Sequence, residues 1–328
     1  MGAFSERIAE DVVRQLSGSR YQSLARHGLS QYRPVAGRVF FVMATSATNY
    51  TQFVEDHPDY RSSDGVVTAA AVYNTIDAAV GACTANQGDV IFVSPNYTET
   101  VSAAAGLDLD VAGISVIGLG NGDNRPVVNF TTATTADVDV DAANILVENI
   151  RFTGGFDALV APLDVNAADF SLINCQYRDV TGQCTDFLLA DNAANRMRVI
   201  GLVYQGDSVA GTDSGIAIVG ADQVEIGYLY MDGNFAVGGI DIRTTAVVDL
   251  WVHHFTFRTR NNADIFIIDT ITGSTGMIEN GFIRLQQNEA NITEAITGAT
   301  FVLSDNIWVV NLANEKAVLI NWVASTDA

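Results

Sequence analysis

Aspartates recur through the second half of the chain at Asp157, Asp186, Asp213, Asp241 and Asp264, each close to a short β-type run. Carboxylates held on adjacent strands about 4.8 Å apart could serve as an acid/base pair or a Ca²⁺ site. Asp also favours turns, because its side chain bonds the local backbone. The turn reading is preferred, since the frame drifts. Asp213 lies three residues before Ile216, Asp186 directly precedes Phe187, and Asp241 falls inside its run. A catalytic ladder tolerates such drift poorly. No catalytic residue is assigned, and Asp186, Asp213 and Asp241 stand only as the alternative acid/base set.

Other reactive side chains are sparse. His253 and His254 are adjacent in a β run. Consecutive strand residues point to opposite faces, so without a bulge they cannot share one ion, and no metal site is assigned. Cys175 sits beside Tyr177 with no His or basic residue near in sequence, which makes it core rather than nucleophile. GLGNGD (Gly118–Asp123) misses the dinucleotide fingerprint and reads as a corner, so no cofactor is implied. Trp251, Trp308 and Trp322 lie in β runs as core, intersubunit contacts or a glycan platform; the sequence does not separate these.

The elements that position these residues are periodic. NIRF, NCQY, GLVY, GYLY and HFTF end in Phe152, Tyr177, Tyr204, Tyr230 and Phe257, at spacings of 25, 27, 26 and 27 residues. Between them lie second runs: DALV (157–160), DFLL (186–189), GIAIV (215–219), GIDI (239–242) and DIFII (264–268). Such a period implies stacked units, each burying its apolar face only against its neighbours. Short Val/Ile runs broken by Gly, Asn and Asp suit three strands per coil. The expected fold is therefore all-β: a parallel β-helix of about eight or nine coils with a short helical N-terminal arm. A β-sandwich is the competing architecture, but its strands would not keep one period.

The segment VYNTIDAAVGACTANQGDVIFVSPNYTETVSAAAGLDLDVAGISVIGLGNGD (Val72–Asp123) resembles the opening of pectate-lyase-like right-handed β-helix proteins. The resemblance implies a capping helix, here Thr75–Ala85, then a strand ending in Pro and a Tyr–Thr–Glu step. It is specific for fold and not for chemistry. Galacturonan hydrolases of that fold carry Asp–Asp, Gly–His–Gly and Arg–Ile–Lys, none of which occurs here. Asn74–Thr75–Ile76–Asp77 only echoes their Asn–Thr–Asp. Pectate lyases need a base and a Ca²⁺ cluster, yet the sole lysine is Lys316 and Arg125 lacks its second arginine. The layout, a short leading segment before a β-helix, also resembles tailed-phage virion proteins, whose capsid decorations and spikes are commonly trimers.

Charge separates that leading segment from the body. The chain of 328 residues carries −21 overall, with 48% hydrophobic residues. This excludes a disordered chain and argues against nucleic-acid binding. No segment reaches eighteen consecutive apolar residues, so no membrane span is expected. The first residues hold acids where a signal peptide needs an apolar stretch. Three cysteines are too few for a disulfide framework and fit a reducing cytosol, although a Cys175–Cys184 pair remains open.

Residues 1–38 balance to +3, leaving −24 for the rest. Phe4, Ile8, Val12 and Leu16 recur at helical spacing, with Ser5 as N-cap. Either this helix packs on the body, or it is an arm docking through Arg7, Arg14, Arg20, Arg26, Arg33 and Arg38. The expected organisation is an attachment arm (1–45), a connecting and capping region (46–88) and a β-helix (89–328). The expected function is a non-enzymatic virion protein assembled in the host cytoplasm. It would be a homotrimer decorating the particle, with the arm on the major capsid protein or another virion protein. A tail-spike-like polysaccharide depolymerase, lyase or hydrolase, or a spike binding a host surface glycan, is the alternative.

Overall fold

The computed structural model of the chain describes residues 37–44, 72–179, 184–206, 212–259, 265–285, 296, 301–304, 306–311 and 316–319. Phe4, Arg7, Ile8, Val12, Arg14, Leu16, Arg20, Arg26 and Arg33 lie outside the described residues, with the helix expected to carry them. Asp264 and Trp322 lie outside them too.

Each turn of chain lays down three short strands, and each strand pairs in parallel with its counterpart one turn on. The first ladder runs from Val39–Val42 through Val90–Val93, Ser115–Gly118, Leu146–Glu148, Ser171–Ile173, Arg198–Ile200 and Glu225–Gly227. A second ladder runs from Thr98–Val101 through Val127–Phe130, Arg151–Gly154, Gln176–Asp179, Val203–Gln205 and Tyr230–Gly233. Leu250–Thr259 and Gly276–Leu285 are long enough to belong to both, so the two ladders merge there. The third ladder is a separate seven-stranded sheet from Leu107–Asp108 to Ile265–Asp269. The result is an all-β parallel solenoid with very little helix.

It has about 7 turns, fewer than eight or nine. Early coils are long, with Ser115 and Leu146 as ladder partners. The last described residues add no coil either: Lys316–Leu319 pairs antiparallel with Ile307–Asn311 and closes that edge.

Alternation sets the interior. Val116, Val147, Leu172, Val199, Ile226, Val252 and Ile278 occupy one inward column of the first ladder, all buried. In the second ladder Phe152, Tyr177 and Tyr204 align as expected, but the next member is Met231 rather than Tyr230. The GYLY run has Tyr228 at the corner where GLVY has Gly201, so its final Tyr falls one step short of the column. DALV is also displaced. The strand of that coil is Leu163–Val165, and Leu159 makes only an isolated bridge to Cys184.

Corners repeat as faithfully as strands. Between the first and second ladders stand Asn149, Asn174, Gly201, Tyr228, His254 and Asn280, all with φ between 50° and 74°. Asn and Gly tolerate this left-handed conformation best. The amides of Asn149, Asn174, Gly201 and Tyr228 bond the next coil, as in Asn174 N to Ile200 O at 2.8 Å.

The first coil is closed by a helix, Ile76–Val80, shorter than Thr75–Ala85. Thr75 caps it by accepting from Ala78 N at 3.1 Å. Glu99, buried in the second ladder, accepts from Ile76 N at 2.8 Å and lies 2.5 Å from Tyr97 Oη. The Tyr–Thr–Glu step thus ties helix to solenoid.

The solenoid begins earlier than residue 89. Val39–Val42 forms its first strand, inside the span expected to be arm. Arg38 is bound to the body, with its Nη2 3.0 Å from Asp89 Oδ2 and 2.9 Å from Ala82 O. All three cysteines are free, so no Cys175–Cys184 bridge forms.

Phe187 is fully buried and packs both within its coil and across coils: its ring is 4.3 Å from Tyr177 of the same turn, 5.7 Å from Phe152 of the turn before and 6.2 Å from Tyr204 of the turn after, centroid to centroid. Phe187→Ala is expected to cost about 3–5 kcal/mol in urea unfolding. A loss under about 1 kcal/mol would contradict this packing.

Candidate functional site

The structure brings Asp186, Asp213 and Asp241 together on the third ladder, in strands rather than turns; Asp157 alone of the described set lies in a turn. Arg243 bridges two of them, with Nη2 2.5 Å from Asp186 Oδ2 and Nη1 3.1 Å from Asp241 Oδ2. Ser214 Oγ donates to Asp186 Oδ1. Burial raises the Asp241 pKa; Arg243 opposes this, while the charges of Asp186 and Asp213 add to it. Both bridged side chains are only 4% exposed. An acid/base pair must meet its substrate, whereas these carboxylates face one guanidinium, Asp241 from its own coil and Asp186 from two coils before.

A second carboxylate ladder was not anticipated. Asp108, Asp139 and Asp164 are register partners on three successive coils of the same sheet. The signal was present as alternation: LDLD, VDVD and LDVN place an apolar residue inward and an acid outward three times over. Asn166 Nδ2 donates to Asp139 Oδ1 at 2.8 Å. Asp108 Oδ1 and Asp164 Oδ1 are buried without a hydrogen-bond partner. Burial lifts the Asp139 pKa to about 6; the Asn166 bond opposes it, and Asp141, Asp164 and Asp137 push it further up.

The remaining cluster lies on the first corner, near where the two ladders merge. His253 and His254 do not point to opposite faces. His254 has φ 50°, which turns the strand and brings the two Nδ1 atoms to 2.9 Å. This is a corner and not a bulge, since the register with Gly276–Leu285 continues unbroken on both sides of His254, yet it brings the two rings together as a bulge would. His253 Nε2 lies 3.3 Å from Glu225 Oε1, and Glu225 Oε2 accepts from Arg198 Nε at 2.7 Å.

Trp251 tilts over His253 with centroids 4.1 Å apart, and Tyr228 stacks on His254 at 4.8 Å and 15°. Tyr228 is 61% exposed. In the corner column Tyr228 and His254 occupy positions held elsewhere by Asn or Gly. Bulky residues other than Gly and Asn in this conformation mark strain held for a reason, which makes the pair a site candidate. No other described corner of the column carries a ring.

Around this corner the outward face turns apolar. Trp251, Met277 and Val302 are register partners, as are Phe282 and Trp308, and all five are exposed. Cys175, by contrast, is fully buried, and burial pushes its thiol pKa up to about 12. Among the described residues no group of three or more His, Cys, Asp or Glu is gathered to hold a metal ion. No helix among them is long and apolar enough to cross a membrane. Comparison with known protein families, with curated proteins and with solved structures finds no match.

The Asp139 ladder sets a pH dependence. A carboxyl raised in the folded state contributes stability that is full below the unfolded value of about 4 and lost as pH climbs through about 6. Asp139→Asn is expected to stabilise the body at pH 7.5 by roughly 1 kcal/mol, the shift being discounted for solvent screening, and by less at pH 4. Urea titrations at the two pH values check this. Equal effects at both, or destabilisation at pH 7.5, would contradict it.

Proposed function

We propose that the chain is a non-enzymatic structural protein of a tailed-phage particle, assembled in the host cytoplasm as a trimer that decorates or reinforces the capsid. The observation that carries this reading is the aligned apolar face of Trp251, Met277, Val302, Phe282 and Trp308. Apolar residues exposed singly are ordinary, but columns on contiguous strands mark a surface that another protein covers. A chain carrying −21 needs an uncharged patch for copies of itself to approach. Closed homo-oligomers are the commonest assemblies, which favours further copies of this chain as the occupant.

Two further features support a structural role. Continuous parallel pairing gives a rigid column, and the carboxylates best suited to hydrolysis are enclosed with Arg243. The winding is taken as right-handed, the sense of nearly all parallel crossovers and of the pectate-lyase-like proteins that Val72–Asp123 resembles. Attachment belongs to the leading segment, where Arg7, Arg14, Arg20, Arg26 and Arg33 would meet an acidic surface of the major capsid protein. Arg38, already paired with Asp89, serves the fold instead. One observation favours a second reading: the exposed Tyr228–His254 stack offers a flat face of the kind a glycan-binding spike would use.

Light scattering of the full chain tests the assembly. A mass of three chains is expected, falling to one in Phe282→Glu/Trp308→Glu with the circular dichroism spectrum unchanged. A monomeric unsubstituted protein would overturn the reading.

A further inference from the structure

The His253–His254 corner carries chemistry that a structural role does not use. Two imidazoles with Nδ1 atoms 2.9 Å apart must place one proton between them. Glu225 decides which ring supplies it. Its carboxylate, held by Arg198, faces His253 Nε2 and keeps the proton of that ring there. The Nδ1 of His253 is then a bare lone pair, and His254 Nδ1–H donates to it.

His254 is exposed. Moving its proton from Nδ1 to Nε2, which water can solvate, leaves two imidazole lone pairs 2.9 Å apart. Carboxylate–imidazole–metal chains use the same arrangement, with the outer carboxylate fixing the tautomer and raising ligand basicity. The rings are also brought side by side before any ion arrives, His253 against Trp251 and His254 against Tyr228, and a small turn of the exposed His254 ring aims both lone pairs at one ion.

We propose that His253 Nδ1 and His254 Nδ1 form a chelate for one divalent transition-metal ion of tetragonal preference, Cu²⁺ or Ni²⁺, with water or an exogenous donor in the remaining positions. The separation selects the geometry. At metal–nitrogen distances of about 2.0–2.1 Å, cis ligands at a right angle lie about 2.9 Å apart, and tetrahedral ones about 3.3 Å apart. Imidazole pairs in tetragonal surroundings suit Cu²⁺ and Ni²⁺. With two protein ligands the ion keeps open positions, so the site can join the corner to a donor on another molecule. This chemistry is independent of the oligomeric state.

The test titrates CuCl₂ and NiCl₂ into the full chain at pH 7.5, following tryptophan fluorescence, since Trp251 lies 4.1 Å from His253. Electron paramagnetic resonance of the Cu²⁺ form counts the bound nitrogens. One saturable ion with two imidazole nitrogens is expected. His254→Asn is the informative variant, because Asn fills the same corner position at Asn174 and Asn280 and so preserves the fold. It is expected to abolish the two-nitrogen spectrum.

Glu225→Gln should weaken binding about ten- to a hundredfold by releasing the tautomer. The other two of the four histidines, His27 and His57, serve as controls whose replacement by Asn leaves binding unchanged. Equal binding by His254→Asn, loss of binding in a control, or no saturable uptake by the unsubstituted chain would overturn the proposal.

Discussion

Parallel pairing of every strand with its counterpart one turn away is the interaction on which the rest depends. It satisfies backbone donors and acceptors between coils, leaving only the solenoid ends as edges. It also stacks each side chain on the one a turn before it. Apolar on apolar gives the Val116–Ile278 column, and ring on ring gives the stacked pairs Phe130–Phe152 and Tyr177–Tyr204. The same rule applied to carboxylates gives Asp108, Asp139 and Asp164, where repetition is unfavourable. A solenoid amplifies whatever its sequence repeats.

Deviations from repetition therefore carry information. The corner column keeps Asn or Gly at four positions and departs at two neighbouring ones, Tyr228 and His254. Both departures cost backbone energy, and both place rings on the surface beside Trp251. The two ladders merge at the same level, and the exposed apolar columns occupy the merged sheet. Strain, exposure and a change of sheet geometry thus coincide at one end of the body, while the other end is closed by a helix and the buried Glu99.

Much of the architecture was legible because period and alternation are properties of the chain itself. The coil spacing, the Val/Ile strands, the capping helix after Asn74 and the inward Cys175 all follow from residue type and interval. Register was less legible. The aromatic frame slips at Met231 because corner residues vary, and a one-residue slip is invisible when both candidates are bulky. The acidic ladder was passed over in favour of Asp186, Asp213 and Asp241, although LDLD and VDVD repeat more strictly. The close approach of His253 and His254 needed a backbone angle that no residue type announces. Arg243 as the partner of Asp186, 57 residues away, required the stacking itself.

Backbone hydrogen exchange of the native full chain tests the stacked register most directly. If each coil templates the next, amides of Ser171–Ile173, Gln176–Asp179 and Asp186–Ala190, the three sides of one turn, should exchange slowly and as one cooperative unit. Fast exchange along Asp186–Ala190 while the other two segments stay protected would contradict it. The third wall would then not be bonded to its neighbours, and the inward columns would lose the frame that aligns them.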